Sequence, residues 1–512
     1  MKKPIYAILS VYDKTGILDL ADAFIQAGIH IISSGGTARH LQAHGKPVET
    51  VESITGFAEI LEGRVKTLHP KIAGGILYRR SSSEHCQVAQ KENLPDIAYV
   101  ICNLYPFENV IRNPETTQEE AIENIDIGGP TLIRAGAKNH QDVIVVVEPA
   151  DYPRVIEKLT NRQGFTTSER LEMAAKAFAR TAFYDSIIFH YLNPATISDT
   201  EFLTLPLRQM SELRYGENPH QKAFYYQKAG HRETLDYRQI HGKELSYNNL
   251  VDLQAALQII RESEEPAAVI IKHTNPCGFA QAESIQNAFI KAREGDPLSA
   301  FGGIIALNRP VDTDIAQLIN DFFNECLLAP GYCEEALSIL KQKKNRRLLL
   351  WEHNESPWAL EFKDIGAGFL AQTPDFNYPE FNQLELVSGE PLEESRLRDL
   401  YFAIRVVKHV KSNAIVLVNN QQLIGIGAGQ TSRVDAVKIA LRKCSENGHP
   451  IEGTILASDA FFPFRDNIDF CAPYKLAAII QPGGSARDEE VIEAARSYHL
   501  TMYLSHVRHF KH

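Results

Sequence analysis

Two stretches of this sequence carry residue types able to move protons beside an anion. The first is VIIKHTNPCG at 269–278. Its β-branched run (Val269, Ile270, Ile271) predicts a buried strand that delivers Lys272 and His273 into Asn275-Pro276, a turn signal. A lysine and a group titrating near neutrality thus stand together where a strand ends, the usual place for chemistry in open α/β sheets. Lys-His pairs are also common on any surface, so the meaning of this one depends on its company. The second stretch is GRVKTLHPKIAGGIL at 63–77, where Arg64, Lys66, His69 and Lys71 crowd a loop. Charged loops are ordinarily solvated surface, but this one concentrates positive charge in a chain of net charge −11.

Other segments of the N-terminal part add to that loop. SSGGT (33–37) follows an expected strand and precedes an expected helix. Gly35 and Gly36 let backbone N–H groups face an anion, Ser34 and Thr37 add hydroxyl donors, and a helix N-terminus favours negative charge. YDKTG (12–16) makes a second strand-to-helix turn with Lys14. NLYPF (103–107) caps a strand with Tyr105, ENIDIGGP (123–130) offers Asp126, and RAGAKNH (134–140) offers Lys138. Together these supply donors, a carboxylate and two lysines at loop positions.

The elements that must position them are α/β in pattern. Residues 5–11, 29–34, 100–107 and 143–147 read as strands of a largely parallel sheet over 1–150. A long helix follows at 168–192, with Leu171, Ala175, Phe178 and Ala182 spaced as its apolar face. Residues 193–209 read as a linker, with the main boundary near 200. Beyond it the pattern resumes with a weak internal echo. AAVIIKHTNPCG (267–278) resembles RVVKHVKSNAIV (405–416), and DPLSAFGGIIAL (296–307) resembles ILASDAFFPF (455–464). KQKKNRR (341–347) reads as a solvated helix end or loop.

Length and composition set bounds on these readings. A chain of 512 residues suits about three domains. At 44% hydrophobic and 23% charged it has the balance of a soluble globular protein. The acidic net charge argues against nucleic acid, which needs a basic face. Seven scattered cysteines without a CxxC indicate neither a disulfide framework nor a thiolate zinc site, and fit a reducing cytoplasm. The N-terminal MKKPIYAILSVYD is too short and too soon charged for a signal peptide, and no apolar run approaches membrane length.

In order along the chain, YDKTG, SSGGT, GRVKTLHPKI, NLYPF, ENIDIGG and RAGAKN resemble the IMP cyclohydrolase part of the bifunctional AICAR transformylase/IMP cyclohydrolase family. KHTNPCG, RYGENPHQ (214–221), SAFGG, KSNAI, GIGAGQTSR (425–433), SDAFFPFRDN (458–467) and QPGGSARD (481–488) resemble its transformylase part. The resemblance implies a methylglyoxal-synthase-like parallel-sheet domain at 1–199. It implies a transformylase domain at 200–512, built of two similar cytidine-deaminase-like α/β subdomains split near 365–385. It implies formyl transfer from 10-formyltetrahydrofolate, a co-substrate, to AICAR, then dehydrative closure of formyl-AICAR to IMP. No prosthetic group, catalytic metal, nucleic acid or membrane is implied. A cytoplasmic homodimer with transformylase sites shared between subunits is expected.

The residue roles come from the same resemblance. His273 matches the catalytic base, Lys272 supplies positive charge, and Asn413 orients the substrate. Arg214, Tyr215, Gly302, Glu325, Arg433, Asp466, Asn467 and Arg508 match substrate contacts, and Gly483 with Gly484 would offer backbone donors. For the cyclization, Lys138 matches the proton-transfer residue and Lys66, Tyr105 and Asp126 its companions. Arg64 to Thr67 would enclose the substrate, with Tyr12, Lys14, Asn103 and residues 34–37 completing the site.

The sequence departs from the family's pattern at Ala73, Tyr12 and Gly136, where His, Ser and Ala are usual, and in the tail MYLSHVRHFKH. His506, His509 and His512 have a spacing that invites a metal, but no further ligands stand near them. Two readings from other classes compete with this one, and the first fails. A zinc deaminase is suggested by Pro276-Cys277, yet position 280 is Ala and no H-x-E lies upstream. A phosphate-sensing module would describe 1–195 if Lys138 were dispensable.

Overall fold

The computed structural model describes residues 3–193, 201–229, 237–351 and 360–512. The part of the expected linker at 194–200 lies outside the described residues. The chain divides into two compact units, Met1–Arg208 with Tyr226–Arg232, and Gln209–Tyr225 with Glu233–His512.

The first unit is built on five parallel strands: β1 (Ile5–Val11), β2 (His30–Ser33), β3 (Glu49–Thr50), β4 (Asp96–Asn103) and β5 (Ile144–Val146). Their order is β3-β2-β1-β4-β5. The apolar runs are continuous, not alternating, because helices cover both faces of such a sheet; Ala7, Ile8, Leu9, Ile31, Ile32, Val100 and Ile101 are all buried. The strand expected to run to 107 stops at Asn103, whose side chain turns away to bind the β1 loop. The ends of β1, β2 and β4 therefore share one rim.

The long helix is Thr167–Leu192, started by a capping box between Thr166 and Glu169. Its buried face is not the expected one. Leu171, Ala175, Phe178 and Ala182 are all exposed, while Met173, Ala174, Ala177, Thr181, Tyr184 and Ile187 enter the core. The helix has two apolar stripes, and the one carrying Ala177 and Thr181 sits close against the helix Gly128–Lys138 and β5.

The remaining strands are β6 (Leu207–Leu213), β7 (Ala223–Lys228), β8 (Tyr237–His241), β9 (Ala267–Lys272), β10 (Asn275–Gln281), β11 (Ile304–Leu307), β12 (Cys326–Ala329) and β13 (Arg347–Trp351). They continue with β14 (Glu361–Asp364), β15 (Phe369–Gln372), β16 (Glu385–Ser388), β17 (Ile415–Asn419), β18 (Gln422–Gly427), β19 (Ile455–Ser458), β20 (Ala478–Gln481) and β21 (Met502–Leu504). β6–β7 and β14–β15 are two-stranded. The other twelve form one mixed sheet, β16-β21-β20-β19-β17-β18-β10-β9-β11-β12-β13-β8. Read inward from either edge, the two halves carry the same succession of parallel and antiparallel neighbours. They join where β10 meets β18, with Gln281 N–H donating to Gln421 O.

The internal echo is present in the elements but not in the register expected. Lys272-His273 ends a strand, whereas Lys408-His409 ends the helix Glu394–Lys408. The partner of 267–281 is 414–428: β9–β10 and β17–β18 are both hairpins with two-residue turns, His273-Thr274 and Asn420-Gln421. All four turn residues have positive φ, which fits the right-handed twist of a tight hairpin. Asn275-Pro276 thus begins the returning strand and does not terminate the sheet. In KQKKNRR, Arg346 is buried against Asn320 and Ile319, and Arg347 lies in β13, so the end of that run is structural.

Candidate active sites

In the first unit the rim is tied together by Asn103. Its Oδ1 accepts from Tyr12 N–H at 2.7 Å and Asp13 N–H at 2.9 Å, and its Nδ2 donates to Asp13 O. Lys14 Nζ reaches back to Tyr12 O, and the Tyr12 and Tyr105 rings, both half exposed, lie 4.9 Å apart. Ser34, Gly35 and Gly36 start the helix Gly35–Ala43, with N–H groups at its N-terminus free of side-chain caps. Thr37 departs from expectation: its hydroxyl donates to Val11 O and accepts from Val11 N–H, so it braces β1 and is not a free donor. Lys66 crosses Gly63 and ends against Gly35; a Cβ on Gly35 would stand 3.5 Å from its Nζ. A cation is thereby set over a helix N-terminus, the arrangement that holds a phosphate.

Asp126 opens the helix Gly128–Lys138. It accepts from Gly129 N–H at 2.8 Å, and its own N–H donates to Tyr184 Oη. Burial pushes its carboxyl above the ordinary aspartate range, against the N–H groups of Gly129, Tyr105 and Gly128 and the charge of Lys66. Thr67 is buried beside Gly128, and Arg64 pairs with Glu123 at the surface. Lys138 is not brought to this group. It ends the same helix that Asp126 begins, about 15 Å away at 1.5 Å per residue. Its exposed side chain lies beyond Gly136, which packs on Val100, well below the rim. A cavity of about 710 Å³ is lined by Tyr12, Lys14, Asn103, Asn109, Glu148 and Arg180 among others. Arg180 is held by burial below the usual arginine range. Nothing in its helical sequence context marked it.

In the second unit the site forms where β9 ends. Lys272 Nζ donates to Phe301 O at 3.1 Å, and the exposed His273 has no hydrogen-bond partner for its ring among the described residues. Asn275 Oδ1 accepts from Lys411 N–H at 3.1 Å, which fastens the KHTN turn to the KSN segment. Asn413 Oδ1 accepts from Arg433 at 2.6 Å, and its Nδ2 donates to Gln430 O. Arg433 is buried and also binds Ser458 and the fully buried Asp459, so it is a support for Asn413 and no surface ion pair. Gly302, at φ 77, lies under the Phe323 ring; Glu325 is held by Asn249 at 3.0 Å and faces Arg347.

The loop after β6 stacks Arg214 on Tyr215. Asp466 is exposed at the start of the helix Asp466–Cys471, while Asn467 is buried with its Oδ1 unpartnered among the described residues. Gly483 and Gly484 do not present N–H groups to a ligand as expected. Those N–H groups are taken by Gln481 and Asp488, and the positive φ values, 72 and 94, explain the glycines instead. Arg508 lies over Phe510, and the tail binds Asp459 and Ser412 through His509 and Lys511. The three tail histidines diverge, His506 to Glu385, His509 to Asp375 and His512 to Phe510, which removes the metal reading. Among the described residues no group of three metal-binding side chains occurs. Cys277 is buried, with its Sγ 3.3 Å from Ile270 O.

Residues 16–131 match an MGS-like domain, and residues 136–443 match the family described as the AICARFT/IMPCHase bienzyme. The chain is 47% identical over 510 residues to the bifunctional purine biosynthesis protein PurH of Halalkalibacterium halodurans, covering 99% of each. It is 46% identical over 514 residues to PurH of Acetivibrio thermocellus, again covering 99% of each. The crystal structure of ForH is 31% identical and covers 37% of this chain and 96% of its own, with a TM-score of 0.33. Relatives spanning the whole chain, and a family match over more than half of it, show that the chain belongs to the AICARFT/IMPCHase bienzyme family.

Proposed function

We infer that this chain performs the last two steps of IMP synthesis, with one site in each unit. Formyl transfer from 10-formyltetrahydrofolate to AICAR gives formyl-AICAR and tetrahydrofolate, and ring closure with loss of water gives IMP. The observation that carries the division is the pair of separate rims. One has Lys66 and Asp126 beside a helix N-terminus; in the other, Asn275 fastens the His273 turn to Asn413.

For formyl transfer, the AICAR amine is a weak nucleophile because its lone pair is delocalised into the ring and carboxamide. His273 takes its proton as the nitrogen bonds the formyl carbon. Lys272, anchored on Phe301 O at the same strand end, offsets the oxyanion until the carbon–folate nitrogen bond breaks and that nitrogen takes the proton from His273. Asn413 orients the substrate, held by Arg433. Arg214, Tyr215, Gly302, Glu325, Asp466, Asn467 and Arg508 complete the contacts, with Gly483 and Gly484 shaping the loop.

For ring closure, the carboxamide nitrogen attacks a formyl group of the same molecule, so proximity is already present and protons must be moved. Asp126, with its raised carboxyl, and Tyr105 serve the reacting end. Lys66, Lys14, Ser34, Gly35 and Gly36 serve the phosphate; Tyr12, Arg64, Thr67 and Asn103 shape the pocket, with Thr37 behind it.

The geometry leaves Lys138 a part in closure from a second copy of the chain. A homodimer is supported by the apolar stripe Leu171, Ala175, Phe178 and Ala182, which stands open on a helix whose Phe178 carries Arg134, one turn from Lys138. Two similar subdomains split near 365–385, of the cytidine-deaminase-like kind, are supported by the mirrored sheet order, and domains of 1–199 and 200–512 by the two compact units. A cytoplasmic location fits free cysteines and the absence, among the described residues, of a membrane-length apolar helix. Supplying the full chain with AICAR and the folate tests the reading. IMP is expected; formyl-AICAR alone would remove the cyclization, and neither product would remove both.

A further inference from the structure

We propose that Asp252 is a positioning residue for formyl transfer, its carboxylate holding the two-residue turn that presents His273. The proposal rests on the reading of His273 as the transformylase base.

His273 and Thr274 sit at φ 53 and 64. A histidine enters the left-handed region more readily than most side chains, but a β-branched threonine there is an outlier that its surroundings must enforce. Hairpin turns of this kind ordinarily use Asn-Gly or similar pairs. What enforces it here comes from the helix Tyr247–Ile260: Asp252 Oδ1 accepts from Thr274 N–H at 2.7 Å, and the same carboxylate faces His273. The imidazole itself has no hydrogen-bond partner among the described residues, so its direction is set through its backbone.

The second half of the sheet supplies an internal comparison. Asp399 occupies the same position in the helix Glu394–Lys408 as Asp252 does in its own, and each aspartate precedes its turn by the same sequence distance. Asp399 accepts from Asn420 N–H at 3.0 Å and Gln421 N–H at 2.6 Å. The clamp is therefore built into both halves, but only one clamped turn carries a group that can exchange a proton. The settings differ too. Asp399 is buried and paired with Arg396, whereas Asp252 is half-buried and faces His273 and Glu325, with no lysine or arginine paired to it among the described residues.

The test compares Asp252→Ala, Asp252→Asn and Asp399→Asn in the full chain. Turnover in formyl transfer, KM for AICAR, AICAR sites per chain and the cyclization of supplied formyl-AICAR are each measured. Asp252→Ala is expected to lower turnover at least about tenfold, the scale for misdirecting a reacting group, with KM changed less than about threefold. Asp252→Asn, which keeps an acceptor oxygen, should recover part of the loss, and Asp399→Asn should stay within about twofold of the parent. Site number and cyclization should be unchanged. The clamp is overturned if Asp252→Ala keeps parental turnover, if a rise in KM accounts for its loss, or if Asp399→Asn loses the same factor. Should Asp252→Ala fail to fold, the two Asn variants decide, equal turnover counting against the clamp. If the parent makes no formyl-AICAR, or His273→Ala still makes it, the reading of His273 fails and the clamp falls with it. If both hold, a normal Asp252→Ala removes the clamp alone.

Discussion

Asn413 owes its orientation to Arg433, and Arg433 owes its place to Asp459. That chain of contacts is dry: Asp459 is wholly buried and Arg433 nearly so. Replacing Arg433 with Met leaves a buried carboxylate that, among the described residues, keeps only Ser412 as a side-chain partner. Urea unfolding of Arg433→Met should show a loss of about 3–5 kcal/mol, the cost of breaking a buried pair from one side. Transformylase activity should fall further than that instability explains, because Asn413 is released. At the other rim, Asp126→Asn should abolish cyclization of supplied formyl-AICAR while formyl transfer stays at the parental rate; equal loss of both would contradict the division. Lys272, His273, Asp126 and Lys66 were legible as residues because each breaks an apolar or glycine-rich run at an element's end. Asp252 was not, because an aspartate on a helix has no signature until the turn it binds is in view. The N–H groups of Gly483 and Gly484 were misread for the converse reason, since their partners Gln481 and Asp488 are revealed only by the fold.

At the scale of elements, strands in both halves of the twelve-stranded sheet lean on helices at points where no side chain fits. A Cβ on Gly278 would fall 1.9 Å from Ala292 O, and one on Gly427 2.0 Å from Ala436 O. Gly278→Ala should therefore cost about 2–3 kcal/mol or more, as overpacking does, read by denaturant midpoint. A second element-level prediction concerns acid. Glu262 is held down to about 2: burial alone would raise it, but His409, Lys408 and Tyr378 outweigh burial. Lys408 Nζ donates to Glu262 Oε1 at 2.9 Å and to Tyr378 Oη at 2.7 Å. A depressed carboxylate stabilises the fold above its unfolded value near 4.5 and loses that contribution as pH falls toward 2. The parent should lose stability across that window more steeply than Glu262→Gln, which is less stable at pH 7 and flatter below it. Helices and strands were largely legible from apolar periodicity. The face of Thr167–Leu192 was not, because that helix has two apolar stripes and periodicity cannot say which one meets a partner. The β9–β10 hairpin was hidden because its turn residues, His273 and Thr274, are not turn formers.

For the whole molecule, the merging of two halves into one twelve-stranded sheet through β10 and β18 was beyond local patterning, as pairings between distant segments are. The echo was visible, but the Lys-His doublet drew it out of register. The separation of Lys138 from Asp126 along one helix makes a prediction for the assembly. Lys138→Ala and Asp126→Asn chains, each inactive in ring closure, should regain part of the activity when refolded together; no recovery would place Lys138 outside the reaction. The most direct measurement of the central account uses full-length His273→Ala. Given formyl-AICAR it should form IMP at the parental rate, and given AICAR with 10-formyltetrahydrofolate it should form no formyl-AICAR. Parental formyl transfer by this variant, or loss of ring closure along with it, would contradict two independent sites with His273 serving only the first.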